Sequence, residues 1–73
     1  MNLQEYESKQ VIIQTPENKI FRGNVVEYFS AEINENNKES IVLRDVKTNA
    51  LIELYEEDIK SIEIVKWFTM KIV

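Results

Sequence analysis

Between Gln10 and Val65 the chain breaks into five short runs that alternate apolar and polar residues, and this period of two is the strongest constraint on its fold. QVIIQT (10–15) sets Val11, Ile13 and Thr15 on one face. IFRGNVVEYF (20–29) follows after PENK, where Pro16 presets φ near about −65° and Asn18 tolerates the left-handed region, as a hairpin turn requires. SIVLRD (40–45) turns Ile41 and Leu43 inward. VKTN then reverses the chain, with Asn49 as its left-handed residue, and LIELY (51–55) faces Ile52 and Leu54 in and Glu53 out. EED (56–58) is too short for a stable α-helix and is expected as a 3₁₀ turn. IKSIEIV (59–65) is the last clear strand, with Ile62 and Ile64 inward. No long helical segment is present to cover parallel strands, so the expected fold is all-β and antiparallel: a five-stranded, strongly bent small barrel, with a small sandwich as the alternative. The whole chain, 1–73, reads as one domain with its core in about residues 10–65.

The longest run contains the only glycine, Gly23. Phe21, Gly23 and Val25 alternate on one face, and the register then shifts around Val26, Tyr28 and Phe29, which predicts a bulge or sharp bend. Glycine weakens a strand, so inside one it marks a bend or a close backbone approach. In a small barrel one long strand must bend hard enough to serve two sheets, and Gly23 is the residue expected to allow it. A bulge alone is the plainer alternative.

The two ends are less defined. Residues 3–9, LQEYESK, read either as one or two helical turns with Leu3 and Tyr6 on one side, or as a frayed terminus, because no clear N-cap precedes them. The tail, KWFTMKIV, as a strand lines Phe68, Met70 and Ile72 along one face; as a helix it makes a stripe of Val65, Phe68, Thr69 and Ile72. Its residue types favour a strand. So apolar an end is expected to dock, on its own barrel or on a neighbouring subunit.

Composition narrows the function. A chain of 73 residues hides only about 60% of the surface its unfolded form exposes. Small domains compensate with disulfides, metals or subunit contacts. This one has no Cys and no His, which removes disulfides and Cys/His zinc sites and leaves oligomerisation. The same absence removes the usual imidazole bases and thiol nucleophiles. Ser30 and Ser40 have no lysine base marked by spacing, and Glu56, Glu57 and Asp58 occupy a turn rather than an enclosing pocket. In EINENNKES the residues Glu32, Asn34 and Asn36 fall like the first ligands of a calcium loop, but Asn37, Glu39 and Leu43 occupy the sixth, eighth and twelfth places, where glycine, an apolar residue and a bidentate glutamate belong. No enzyme activity, metal or cofactor is therefore expected. Residues 1–10 lack the basic and apolar segments of a signal peptide, and no apolar run exceeds three residues, so a soluble cytoplasmic protein is expected. The net charge of −4, from 13 acids and 9 bases, argues against general nucleic-acid binding.

Taken in order, VIIQT, a turn, IFRGNVVEYF, a loop, SIVLRD, a turn, LIELY and EEDIKSIEIV resemble an Sm-like (LSM) domain of divergent bacterial type over roughly residues 3–65. The most specific part is FRGNV, an aromatic residue two before the glycine and an aliphatic one two after it, which resembles the first Sm motif. LYEEDIKSIEIV looks like the closing strand of many small bacterial barrels of this kind. The resemblance implies a short N-terminal helix before the barrel, and edge strands that pair between subunits into rings. Two departures bear on RNA. Ser30 stands near the position of the family's Asp, with Ile33-Asn34 following, and YEED replaces the basic or imidazole second motif with carboxylates.

The candidate RNA contacts are Arg22, Ser30, Asn34 and Arg44; Arg22 and Arg44 share an outer face, with pairing to Glu27 or Asp45 as the alternative use of their charge. The candidate subunit contacts are Ile62, Ile64, Trp67, Phe68, Met70 and Ile72. The expected function is a non-enzymatic module that self-associates through its edge strands and tail and presents an acidic face to a protein partner. The alternative is a ring that binds single-stranded RNA. The polar stretch SAEINENNKES (30–40) reads as a long solvated handover between two strands, suited to selecting a protein partner rather than a phosphate.

Overall fold

The computed structural model describes residues 2–66. Five strands form one antiparallel sheet: β1 (Gln10–Gln14), β2 (Ile20–Phe29), β3 (Ser40–Asp45), β4 (Leu51–Tyr55) and β5 (Ser61–Ile64), in the spatial order β4-β3-β2-β1-β5. A 3₁₀ turn, Leu3–Tyr6, precedes β1, and a second, Glu56–Asp58, links β4 to β5. The sheet is not closed into a full barrel, because β4 and β5 each pair on one side only among the described residues.

The sheet is nevertheless strongly curled. Flat, it would hold β4 and β5 roughly 19 Å apart, four strand spacings. Yet Leu54 of β4 belongs to the same core as Val11 and Ile13 of β1, and Ile62 of β5 packs against that core. Val25, Ile41, Leu43, Leu3 and Ile59 complete it. The alternation read from the sequence holds through β1 to β4: Val11, Ile13, Thr15, Gly23, Val25, Ile41, Leu43 and Leu54 are buried, with Phe21 and Ile52 half-buried. Both hairpin asparagines are left-handed, Asn18 at φ 68° and Asn49 at φ 62°.

Gly23 and the irregularity in β2 are two separate devices. The register shifts between Val25 and Glu27, so the bulge falls at Val26. Gly23 itself pairs regularly with Val11 on one side and Asp45 on the other, and its φ is not positive. Its role is close approach. A Cβ there would lie 2.0 Å from the carbonyl oxygen of Arg44 and 3.1 Å from Leu43 Cγ.

The structure revises three expectations. The N-terminal segment forms a single 3₁₀ turn, and it is firmly docked: Leu3 is fully buried, and its N–H donates to Glu39 Oε1 at 3.0 Å. The last strand is shorter than 59–65, because Ile59 N–H closes the 3₁₀ turn on Glu56 O and Lys60 lies in a bend. Ile64, expected inward, is 41% exposed. It faces Val11 across the β1–β5 pair, and β5 is an edge strand among the described residues. Of the candidate subunit contacts, Trp67, Phe68, Met70 and Ile72 lie outside the described residues, as does the choice between strand and helix for the tail.

Candidate functional site

Three surfaces carry unused binding capacity: the open edges, the loop after β2, and a groove at the far end of β2. The edges are β4, Leu51–Tyr55, and β5, Ser61–Ile64. An edge strand presents a row of unpaired backbone N–H and C=O groups, and native proteins blunt such rows with proline, lysine, bulges or a cover. LIELY and SIEI contain neither proline nor lysine, and Leu51 and Ile64 are exposed beside them. Among the described residues their guards are brevity and one exposed glutamate each, Glu53 and Glu63.

Residues 30–39 are more ordered than a solvated handover suggests. The Asn34 amide donates to Lys38 O at 2.7 Å and to Ser40 Oγ at 3.0 Å. The fully buried Ser40 hydroxyl in turn donates to Glu53 Oε2 at 2.9 Å, so loop, β3 and β4 are joined through one hydroxyl. Glu39 accepts from Leu3 N–H on one oxygen and from Tyr28 OH on the other. Burial, its hydrogen bond to Glu39 and the charges of Glu39, Glu56 and Glu32 hold the Tyr28 phenol above its ordinary value, so it remains a donor. Asn37 takes the left-handed conformation, φ 64°, and Lys38 pairs with Glu57 at 3.3 Å. This frame displays Ile33 at 70% exposure, the highest of any large apolar residue described. The Asn34 amide nitrogen is therefore engaged in bracing the loop.

The groove lies at the other end of β2. A cavity of about 210 Å³ is lined by Gln10, Val11, Arg22, Gly23, Val46 and Val65. A second, of about 110 Å³, is lined by Ile20, Arg22, Asp45, Val46 and Lys47 and so adjoins the first through Arg22 and Val46. Val46 and Ile20 are 65% and 58% exposed; Val46 N–H donates to Arg22 O at 2.9 Å, while the Arg22 guanidinium has no hydrogen-bond or ion-pair partner among the described residues. The result is an aliphatic floor with cations at its rim.

Asp45 organises this end. Its Oδ2 accepts from Thr48 N–H at 2.9 Å, Thr48 Oγ1 at 3.0 Å and Lys47 N–H at 3.1 Å, which fixes the β3–β4 turn. The Thr48 amide above all, then its hydroxyl, the Lys47 amide and the Lys47 charge, outweigh burial and depress the carboxyl below its usual value. Because the folded pKa is the lower one, the stabilisation is complete above about pH 3.8, the unfolded value, and is lost as pH falls through the folded pKa below it. Asp45→Asn should therefore lower the urea midpoint at neutral pH, and the gap to the native protein should narrow in acid below that window. A gap independent of pH would show that the charge contributes nothing.

The four candidate RNA contacts do not converge. Arg44 sits directly opposite Asn24 on the outer face of the sheet, with Arg22 two residues along from Asn24, as expected. Neither pairs with Glu27 or Asp45; Arg44 Nη1 instead donates to Asn49 O and Oδ1 at 3.3 and 3.4 Å. Ser30 and Asn34 stand beyond the opposite end of β2, up to roughly 26 Å of strand away from Arg22. Arg22 is legible in the sequence as a candidate, but the aliphatic floor beside it is not. Ile20, Val46 and Val65 belong to a strand end, a turn and the chain after β5, and only the fold brings them together.

Among the described residues no helix is long and apolar enough to cross a membrane. No protein-family model, curated protein or solved structure gives a significant match to this chain.

Proposed function

We propose that this chain is a non-catalytic, Sm-like binding module that assembles with copies of itself by pairing β4 of one copy with β5 of the next. The observation that carries this reading is the sheet order β4-β3-β2-β1-β5, which leaves two short edges unpaired among the described residues of one curled sheet. An edge that meets a different edge makes a head-to-tail contact, and head-to-tail contacts propagate into a ring if the rotation closes. Extending the sheet in this way satisfies both edges. It would also add buried surface to a domain with a small core.

Beside the β4 edge stand Glu53, Glu56, Glu57 and Asp58, which give the assembly an acidic face. That face suits a basic protein partner better than a phosphate backbone, to which it would be repulsive. The resemblance of FRGNV to the first Sm motif supports the same reading, and the close approach of β3 at Gly23 gives that motif a physical reason here.

Sedimentation tests the proposal. Native protein at micromolar concentration should be oligomeric, and Leu51→Lys with Ile64→Lys should be monomeric. Both positions are exposed, so the monomer should lose no more than about 0.5 kcal/mol per site. A native protein that is only monomer at these concentrations contradicts the assembly. Oligouridine should not bind detectably at low salt; affinity that falls steeply with ionic strength would instead favour a ring that binds single-stranded RNA.

A further inference from the structure

We infer that the Ile33 loop of one copy docks in the Arg22–Lys47 groove of a second copy, a head-to-tail contact distinct from edge pairing. The two surfaces complement each other in shape class and in charge. The loop presents one aliphatic side chain, Ile33, flanked by Glu32 and Glu35, and neither carboxylate has a hydrogen-bond or ion-pair partner among the described residues. Lys38, the loop's one cation, is already paired with Glu57. The groove presents the reverse: Ile20, Val11, Val46 and Val65 as floor, with Arg22 and Lys47 at the rim; Asp45 also lines it, but one of its oxygens, Oδ2, is engaged by the Lys47 amide and by the Thr48 amide and hydroxyl. Its larger cavity, about 210 Å³, is of a size to admit a branched aliphatic side chain.

Geometry excludes the contact within one copy. The loop follows the last residue of β2, whereas Arg22 is near its first, so the two surfaces lie at opposite ends of the domain. A contact between them must be made by another molecule. The loop is also ready to bind. Asn34, Ser40 and Glu39 hold its frame, so little ordering is needed when Ile33 enters a pocket. Single-stranded RNA is the less fitting occupant. Base stacking needs an aromatic platform, and no aromatic residue lines either cavity among the described residues.

The contact lies at the strand ends and edge pairing lies along β4 and β5, so each can fail without the other. The test uses two full-length charge reversals, Arg22→Glu with Lys47→Glu on the groove, and Glu32→Lys with Glu35→Lys on the loop. In sedimentation on the Leu51→Lys, Ile64→Lys background, where edge pairing is blocked, the parent should show weak concentration-dependent association. Either reversal alone juxtaposes like charges and should weaken that association about tenfold or more. An equimolar mixture of the two reversals should restore it, because each groove then meets a loop of opposite charge. A folding defect would not be repaired by mixing. The inference is overturned if the parent does not associate, if either reversal associates like the parent, or if the mixture behaves as its components do. In the last case something other than the loop, such as residues 67–73 or another protein, occupies the groove.

Discussion

Gly23→Ala should destabilise the domain by about 3 kcal/mol or more, the opposite of what this substitution does at an unconstrained strand position. Where the backbone permits it, glycine to alanine usually stabilises by about 0.4–1 kcal/mol, because the unfolded chain loses freedom. Here φ is not positive, so the backbone alone would accept alanine. The obstacle is the Arg44 carbonyl, whose oxygen would lie 2.0 Å and carbon 2.8 Å from the new Cβ. Overpacking against mobile side chains costs about 1–3 kcal/mol. This neighbour is backbone, held in a strand paired on both sides, with β2 and with β4, and cannot turn away. A domain of 73 residues holds only about 4–11 kcal/mol in total, so the loss is a large share. Urea titration should show a much lower midpoint for Gly23→Ala, while Asn24→Ala, on the exposed face next to it, should stay within about 0.5 kcal/mol of the native protein. An unchanged or raised midpoint for Gly23→Ala would contradict the close approach.

Leu3→Ala should cost about 2–5 kcal/mol, as the removal of a fully buried leucine does elsewhere. That is a large effect for a residue three positions from the start of the chain. The 3₁₀ turn has little stability of its own; at four residues it persists because Leu3 fills the core and its N–H is bound by Glu39. Glu39 in turn is fixed by Tyr28, so the start of the chain, the long loop and β2 are joined at one carboxylate. Gln4→Ala, at an exposed position of the same turn, serves as the control. If Leu3→Ala and Gln4→Ala gave equal midpoints, the turn would be an ornament on the fold rather than part of its core.

The strands were legible because each follows a local rule. Period-two alternation set β1 to β4 within a residue of their observed bounds, and the left-handed asparagines fell where turn chemistry put them. EED formed its 3₁₀ turn because three residues allow little else. What escaped reading was decided at long range. Leu3 is buried by β-strands far along the chain, and its amide partner is 36 residues away. Asn34 stood out in sequence as one of a row of polar residues, and its amide nitrogen braces the loop through Ser40 and Lys38. At Gly23 the sequence offers a bend, a bulge or a close backbone approach, and only the neighbouring strand shows the close approach, to the Arg44 carbonyl; the register shift at Val26 was itself legible in the broken alternation there. The groove was invisible because its floor is assembled from four separate segments, none of which is unusual alone.

Amide hydrogen exchange as a function of protein concentration tests the proposed assembly most directly. If β4 of one copy pairs with β5 of the next, amides in both Leu51–Tyr55 and Ser61–Ile64 should be protected at high concentration and lose that extra protection together on dilution, while the interior strands β1, β2 and β3 change little. Edge amides that exchange at the same rate at every concentration, in both strands, would contradict the account.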